Sequence, residues 1–499
     1  MLRKLLLFAM LFIIFAGRNS GSDRILQSPI LDTKSLKNWF AQDLKFNIEP
    51  VTMRDLLNSP GSDWLVYHGD YKASHYSPLT KIDRDNIKTL VPKWTYKIND
   101  GANLRSSPII SHGVMFVTAA NEVHALDVST GQWLWKWQAY LERSKGINRG
   151  IAIYENKIFF STSDCQLVAL NRETGNLLWS VKYVDSQNRF FSTMAPLVIK
   201  DKIFLGVANN NSGESGFVAA FSTSDGKELW RFQTLPAQTE LRGAPTWLTG
   251  SYDPTTDTIY WAVGTLPDDQ RANPKSYKTP GAYHDSIIAL DAKNGRLKWS
   301  TRLAEYMPID WDSNEPLVLT EMNNKNLLLQ ANRNGLFYSM DRITGKINFS
   351  KSFVKKIDWT NKKKICPSVR GATNWMPPSF SPLTGLFYVM TLEGCVGEDN
   401  SFYITALDPT DANIKWTYPT RGTNIAAPGL LATGGNIVLG SEGSGHMVAL
   451  DAVTGKKLWD FSTGKPMFGA PVTYLTNGRQ YITMVAGSDV YTFGLYSAR

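Results

Sequence analysis

One short pattern recurs along almost the whole chain and restricts its fold more than any other feature. Ala125-Leu126-Asp127 with Thr130-Gly131 leads to Trp135, and Ala169-Leu170-Asn171 with Thr174-Gly175 leads to Trp179. Ala220-Phe221-Ser222 with Asp225-Gly226 leads to Trp230, and Ala289-Leu290-Asp291 with Asn294-Gly295 leads to Trp299. Ser339-Met340-Asp341 with Thr344-Gly345 leads to Phe349, and Ala449-Leu450-Asp451 with Thr454-Gly455 leads to Trp459. Ala406-Leu407-Asp408 leads to Trp416 with Ala412 where glycine stands elsewhere, and Trp94 lacks the upstream half of the motif.

The pattern has a direct physical reading. Ala-Leu-Asp ends a strand; Asp-x-x-Thr-Gly is a tight turn in which Gly supplies a positive φ and Asp binds the turn backbone. The next strand carries the aromatic residue. Alternating strands precede the copies, as in Lys157-Ile158-Phe159-Phe160-Ser161 and Lys202-Ile203-Phe204-Leu205. Each repeat is therefore a small antiparallel sheet. A period of about 40–45 residues is that of a four-stranded propeller blade, and longer intervals mark loops inserted into blades. The expected fold is all-β, an eight-bladed β-propeller of four-stranded antiparallel blades. The strand holding Trp94 is expected to join Gln480–Met484 and Val490–Phe493 in the last blade and so close the ring. A large ring at one fixed place in every blade reads as packing between neighbours, not as a row of ligand cages.

Composition narrows the classes. The chain has 43% hydrophobic and 19% charged residues, enough apolar side chains for a sizeable core. A formal charge of +9 over 499 residues, without a concentrated basic run, does not suggest a nucleic-acid partner. Lys362-Lys363-Lys364 reads as a solvated surface run. Three Cys and no Cys-x-x-Cys exclude a disulfide scaffold, a zinc ribbon and a covalently attached c-type haem. Arg3 and Lys4 followed by the apolar run Leu5–Ala16 read as an export signal over 1–22, with an N-terminal extension over 23–62 and the propeller over 63–499. No later stretch suggests an integral membrane domain. The expectation is a protein exported to the periplasm or otherwise outside the cytoplasm, and soluble after signal cleavage.

The repeat resembles the tryptophan-docking motif of the PQQ-dependent quinoprotein alcohol dehydrogenases, eight-bladed propellers that hold pyrroloquinoline quinone (PQQ). The opening segment supports it: Asp63-Trp64-Leu65, Tyr67-His68-Gly69-Asp70, Ala73-Ser74-His75-Tyr76-Ser77-Pro78-Leu79, then Ile82, Asn86, Leu90 and Trp94. Arg333-Asn334-Gly335-Leu336-Phe337-Tyr338 and Gly371-Ala372-Thr373-Asn374-Trp375 look like the same family, and the likeness spans about residues 63–495.

The resemblance implies a set of roles. Asp312 matches the catalytic base, a carboxylate that takes the alcohol proton as hydride leaves, and Arg333 matches the cation that polarises the quinone oxygens. Arg149, Thr193, Trp247 and Asn374 match cofactor-binding positions, with Trp247 as the flat floor under the quinone. The family's calcium ligands, a Glu, an Asn and the catalytic Asp, fall on Asn211, Leu266 and Asp312. Only Asn211 and Asp312 carry a ligating side chain, so the calcium site is incomplete. Asn314 stands where lanthanide-type members have an additional Asp. The vicinal disulfide that caps the quinone falls on Arg143-Ser144, a family Glu on Arg105 and a further indole on Ala427. The family also places a disulfide where Cys366 and Cys395 stand, leaving Cys165 as a buried thiol.

The expected function is an exported PQQ-dependent oxidation of an alcohol-type small molecule. Electrons would pass to a separate acceptor such as a cytochrome, since no Cys-x-x-Cys-His is present. The alternative is a non-catalytic PQQ-like propeller that binds an anionic ligand or serves as an interaction and assembly scaffold. Retained Asp312, Arg149, Thr193 and Arg333 favour the enzyme; Leu266, Asn211 and the lost vicinal cysteines favour the alternative.

Overall fold

The computed structural model of the protein describes residues 49–59, 61–98, 104–139, 146–184, 190–209, 214–304, 306, 309–360, 364–420, 428–442 and 445–496. The expected signal segment 1–22 and positions 143, 144, 211 and 427 lie outside these residues.

Eight blades, each a four-stranded antiparallel sheet, follow one another along the chain as the repeat requires, and the seventh gains a fifth strand, Tyr76–Ser77, parallel to Leu431–Thr433. Their first strands are Ile109–Ser111, Ala152–Tyr154, Leu197–Ile199, Ser251–Asp253, Val318–Met322, Ser379–Ser381, Leu431–Thr433 and Val472–Thr476. These strands are almost wholly buried, whereas fourth strands such as Leu177–Lys182 alternate between exposed and half-buried residues. The first strand of each blade is thus the inner one. The last blade has the order expected from the sequence: Leu90–Lys97 pairs with Asp489–Leu495, followed by Arg479–Ala486 and Val472–Thr476.

The repeated rings dock blade on blade. Trp94, Trp135, Trp299 and Trp416 donate their indole N–H groups to the carbonyls of Val128, Arg172, Arg342 and Ala452 at 3.0–3.1 Å. Each acceptor is the residue after the motif Asp or Asn of the following blade. Trp459 donates to the Leu90 carbonyl at 3.1 Å and carries the same contact across the ring closure. The turn glycine is required twice over. Gly131 has φ +72°, and a Cβ there would come within 2.5 Å of the Trp94 ring.

The segment 62–77 runs across the inner strands. Trp64 exchanges backbone hydrogen bonds with Ile110 at 2.9–3.0 Å, and the Tyr71 hydroxyl donates to the Val198 carbonyl at 2.5 Å. The amides of Tyr252, Leu319, Phe380, Ala432 and Leu475 donate to the carbonyls of Tyr71, Lys72, Ser74, His75 and Ser62. Upstream, Val51 pairs with Glu155 beside the second inner strand. This segment ties the blades together and places Tyr67 next to Gly150, where a Cβ would meet the Tyr67 ring at 3.5 Å. Cys366 and Cys395 form a disulfide, and Cys165 is buried and unpaired. Among the described residues, no helix is long and apolar enough to cross a membrane.

Candidate active site

The loops leading into the inner strands carry most of the residues singled out by the sequence, and a continuous chain of contacts joins five of them. Arg149, 2% exposed, donates to the Thr193 carbonyl at 2.9 Å. The Thr193 hydroxyl donates to the Trp247 carbonyl at 3.2 Å, and the Trp247 indole N–H donates to Asp312 Oδ2 at 3.1 Å. Arg333 Nη1 lies 3.9 Å from the same Asp312 oxygen. Residues leading into four successive blades are thus linked in one chain of contacts that ends at this carboxylate.

Asp312 is fixed from several directions. Its Oδ1 accepts the Thr265 backbone N–H at 2.9 Å. Gly264 leaves room for it, since a Cβ there would lie 2.5 Å from Oδ1. Trp311, fully buried, anchors the preceding position through its N–H to the Ser368 carbonyl at 2.9 Å. The Cys366–Cys395 bridge closes the loop that contains Ser368. Arg333 donates to the Val369 carbonyl at 3.1 Å and packs on Gly371, whose φ of +79° and missing Cβ admit the arginine stem.

Asn374 directs its amide into its own loop. Its Nδ2 donates to the Arg370 carbonyl at 3.2 Å, and its Oδ1 accepts the Trp375 N–H at 2.9 Å. The effect is to position Trp375, to which sequence reasoning assigns no role. Trp375 belongs to a column of alternating rings and cations. The Arg149 guanidinium carbon lies 5.0 Å from the Trp247 ring centroid and 4.8 Å from that of Trp375. The Arg105 guanidinium carbon lies 5.6 Å from Trp375 and 5.1 Å from Phe468. Thr265, Phe468 and the Trp375 ring are site components that sequence reasoning did not find. Thr265 acts through its backbone, and 105, 375 and 468 meet only through ring closure.

The electrostatics are lopsided. Burial pushes Arg149 down to about 10, and Arg105 adds to the effect while Tyr67 opposes it. Burial alone lowers Arg105. Tyr67, beside Arg149, is pushed up to about 12 by burial. Near Arg333, burial holds the Glu315 carboxyl well above its usual range despite the opposing cation. The Nε atoms of Arg149 and Arg333 are buried and have no hydrogen-bond partner among the described residues. Orphaned guanidinium N–H groups, and positive charge at Arg149 and Arg105 that no described carboxylate neutralises, fit a flat polycarboxylate such as PQQ, with Trp247 offering a ring to stack on.

A divalent ion fits less well. Leu266 is fully buried, and its backbone carbonyl accepts from Arg271 at 3.0 Å. Asn314 donates its amide to the Pro245 carbonyl at 3.3 Å, and its buried Oδ1 has no partner among the described residues. Among the described residues, no three His, Cys, Asp or Glu side chains come together to hold a metal. Of the two predicted ligands, Asp312 is engaged by protein donors and Asn211 falls outside the described residues. The donor set in view does not make a calcium site.

Comparison with known proteins agrees with this geometry. Residues 64–351 match the family described as the glucose/ethanol/alcohol dehydrogenase β-propeller domain. Residues 284–497 match the family described as outer membrane protein assembly factor BamB. The chain is 30% identical to the quinoprotein alcohol dehydrogenase PedH of Pseudomonas putida, with 88% of each chain covered. It is 27% identical to a lanthanide-dependent methanol dehydrogenase of Methylorubrum extorquens, over 84% of this chain and 86% of the other. The crystal structure of the quinohemoprotein alcohol dehydrogenase from Comamonas testosteroni superposes with a TM-score of 0.82 at 25% identity, covering 90% of this chain and 82% of that one.

Proposed function

Because the chain belongs to the PQQ-dependent quinoprotein alcohol dehydrogenase family, we propose that it is an exported oxidoreductase that oxidises an alcohol-type substrate and hands the electrons to a separate carrier. The observation that carries this reading is the Asp312 carboxylate, held by the Trp247 indole, the Thr265 amide and the nearby Arg333. Bound PQQ supplies a two-electron acceptor for the hydride of the alcohol carbon.

The chain's own residues supply the rest. Each Asp312 oxygen accepts one protein N–H and keeps a further lone pair, so the carboxylate can take the substrate hydroxyl proton without leaving its position. Arg333, buried and positively charged, stabilises negative charge developing beside that carboxylate. Arg149 and Arg333 have buried N–H groups available for cofactor oxygens, Thr193 and Asn374 hold the adjoining loops, and Trp247 provides the floor. The Cys366–Cys395 disulfide suits an oxidising compartment.

The test is addition of PQQ to purified protein, with and without calcium. Absorbance would report binding, and dye reduction over an alcohol panel would report turnover. Turnover that falls about 10²- to 10⁴-fold in Asp312→Asn, with the fold intact, supports the enzyme. Absence of quinone binding under either condition overturns it. Leu266 is the observation that favours the second reading, a non-catalytic binder of anionic ligands, and quinone binding without turnover supports that reading.

A further inference from the structure

We infer that Asp285 is a positioning residue that aims the Thr265 amide at Asp312, with the Thr265 hydroxyl as its handle. The inference rests on the enzymatic reading above, in which Asp312 is the base, and adds the device that holds that base in place.

The sheet register brings Thr265 and Asp285 together. In the fourth blade Thr258–Val263 pairs with Ser286–Asp291, and Val263 stands opposite Ser286. The ladder runs on by one step, because the Asp285 amide donates to the Gly264 carbonyl at 3.0 Å. Asp285 Oδ2 accepts the Thr265 hydroxyl at 3.1 Å. The peptide between Gly264 and Thr265 is thus gripped at its carbonyl and through the next side chain, while its N–H donates to Asp312 Oδ1 at 2.9 Å. A peptide that accepts at its oxygen becomes a stronger donor at its nitrogen. Pro245 and Ala244 hold the flanking backbone groups, the Gly264 N–H at 2.7 Å and the Thr265 carbonyl at 3.0 Å. Those bonds fix where the chain lies, and the Asp285 contacts fix the tilt of the amide.

Asp285 is itself held in place. Its side chain and that of His284 are fully buried. His284 Nδ1 lies 3.0 Å from the same Oδ2, and Arg302 Nη1 lies 3.2 Å from His284 Nε2. A carboxylate only accepts and a guanidinium only donates, so the imidazole between them carries its hydrogen on Nδ1. Arg302 is fixed in turn by the carbonyls of Tyr277, at 2.8 Å, and Ala282. The arrangement is costly. Asp285 has φ +51°, in the left-handed region, and its buried Oδ1 has no hydrogen-bond partner among the described residues. Both features cost stability, and they lie one hydrogen bond from the peptide that meets Asp312.

The test removes the handle and leaves the amide. Thr265→Val is nearly isosteric and keeps the backbone N–H. In PQQ-loaded protein, with the alcohol of the panel above that turns over fastest, it is expected to lower kcat about three- to tenfold and to leave KM within about twofold. Thr265→Ser restores the hydroxyl and is expected to recover most of the loss. The kcat of Asp285→Ala is expected to fall at least as far as that of Thr265→Val. Adding Thr265→Val to it should lower kcat no further, because the hydroxyl no longer has its acceptor. Unchanged kcat in Thr265→Val overturns the inference, as do additive losses in the double variant. Hydrogen exchange of the Thr265 amide, followed by mass spectrometry on the protein without quinone, gives a readout that needs no turnover. Exchange is expected to be about three- to tenfold faster in Thr265→Val and restored in Thr265→Ser, and equal rates in all three proteins overturn the inference. If wild type turns over no alcohol, the enzymatic reading fails separately, and the exchange rates still decide whether Asp285 aims the amide. Circular dichroism separates a loss of kcat from a loss of folded protein, and if Asp285→Ala does not fold, the two Thr265 variants decide the matter alone.

Discussion

The indole N–H of Trp247 points at Asp312 Oδ2 from 3.1 Å, so the ring proposed as the floor of the site also orients its proposed base. In the proposed mechanism one side chain thereby couples stacking to proton transfer. The two roles separate in Trp247→Phe, which keeps a flat ring and loses the donor. A hydrogen bond to a charged group contributes about 1.5–3 kcal/mol, so kcat is expected to fall about tenfold or more. Quinone affinity is expected to change less. Parallel absorbance titration and dye-linked kinetics check this, and equal losses in both would show that the ring alone matters.

The blade interface gives an independent prediction about the fold. Phe349 and Ala412 replace Trp and Gly at successive copies of the motif, and both belong to one apolar cluster. Elsewhere the docking Trp leaves no room for a Cβ on the next blade's turn, as Gly131 beneath Trp94 and Gly455 beneath Trp416 show. The smaller Phe is what admits Ala412 at φ +56°. Phe349→Trp alone is expected to overpack and destabilise by about 1–3 kcal/mol. Ala412→Gly combined with it should recover most of that loss, because the glycine both clears the ring and relaxes the left-handed backbone. Urea denaturation of both single variants and the double variant measures the coupling.

That pair also shows why the fold was legible in the sequence. A docking ring and a turn residue lie at a fixed spacing and repeat, so local chemistry alone announces eight sheets and their closure through Trp94. Much of the site was legible through resemblance, and Arg149, Thr193, Trp247, Asp312 and Arg333 do form one contact chain. What stayed hidden has no local signature. The Thr265 amide on Asp312 is a backbone group that any residue type supplies. The hydrogen bonds of segment 62–77 across the inner strands are likewise mostly backbone. Arg105, Trp375 and Phe468 are far apart in sequence and become neighbours only when the ring closes.

The disulfide ties stability to the position of Asp312, the proposed base. It closes a loop across a sequence separation of 29, and Ser368 within that loop receives the N–H of Trp311, the neighbour of Asp312. Replacing both cysteines with serine is expected to cost about 2–4 kcal/mol in urea unfolding. It should also reduce turnover at temperatures where the fold persists, since the Trp311 anchor loosens. Unchanged turnover in the folded variant would confine the bridge to a purely structural role.

Metal removal discriminates at the opposite flank of Asp312. Leu266 presents only carbon where the family has an amide, and Asp312 already accepts two protein N–H groups. Exhaustive dialysis against EDTA is therefore expected to shift PQQ affinity less than twofold, measured by absorbance titration before and after calcium is restored. A large calcium-dependent gain would show that other residues complete an ion site around Asp312.

Acid should act first on the segment that crosses the inner strands. His68 and His75 are 3% and 0% exposed, and their ring centroids lie 6.3 Å apart. Burial drives His68 down to about 4, with a backbone contact to Thr249 pulling the other way, and His75 falls well below its usual value through burial and the His68 charge. A histidine with a depressed folded pKa binds its proton better when unfolded, so between its unfolded value near 6.5 and about 4 the unfolded chain holds more protons. Stability is then present in full above about pH 6.5 and falls as the pH drops towards 4, with His68 contributing about 3 kcal/mol of the loss. His68→Gln removes that titration, so its stability should fall less steeply between pH 7 and 4, even where the variant starts from a lower value. Urea unfolding across this pH range measures the slopes. Identical slopes for variant and wild type would move the acid sensitivity away from this segment and onto the carboxylates of the blades.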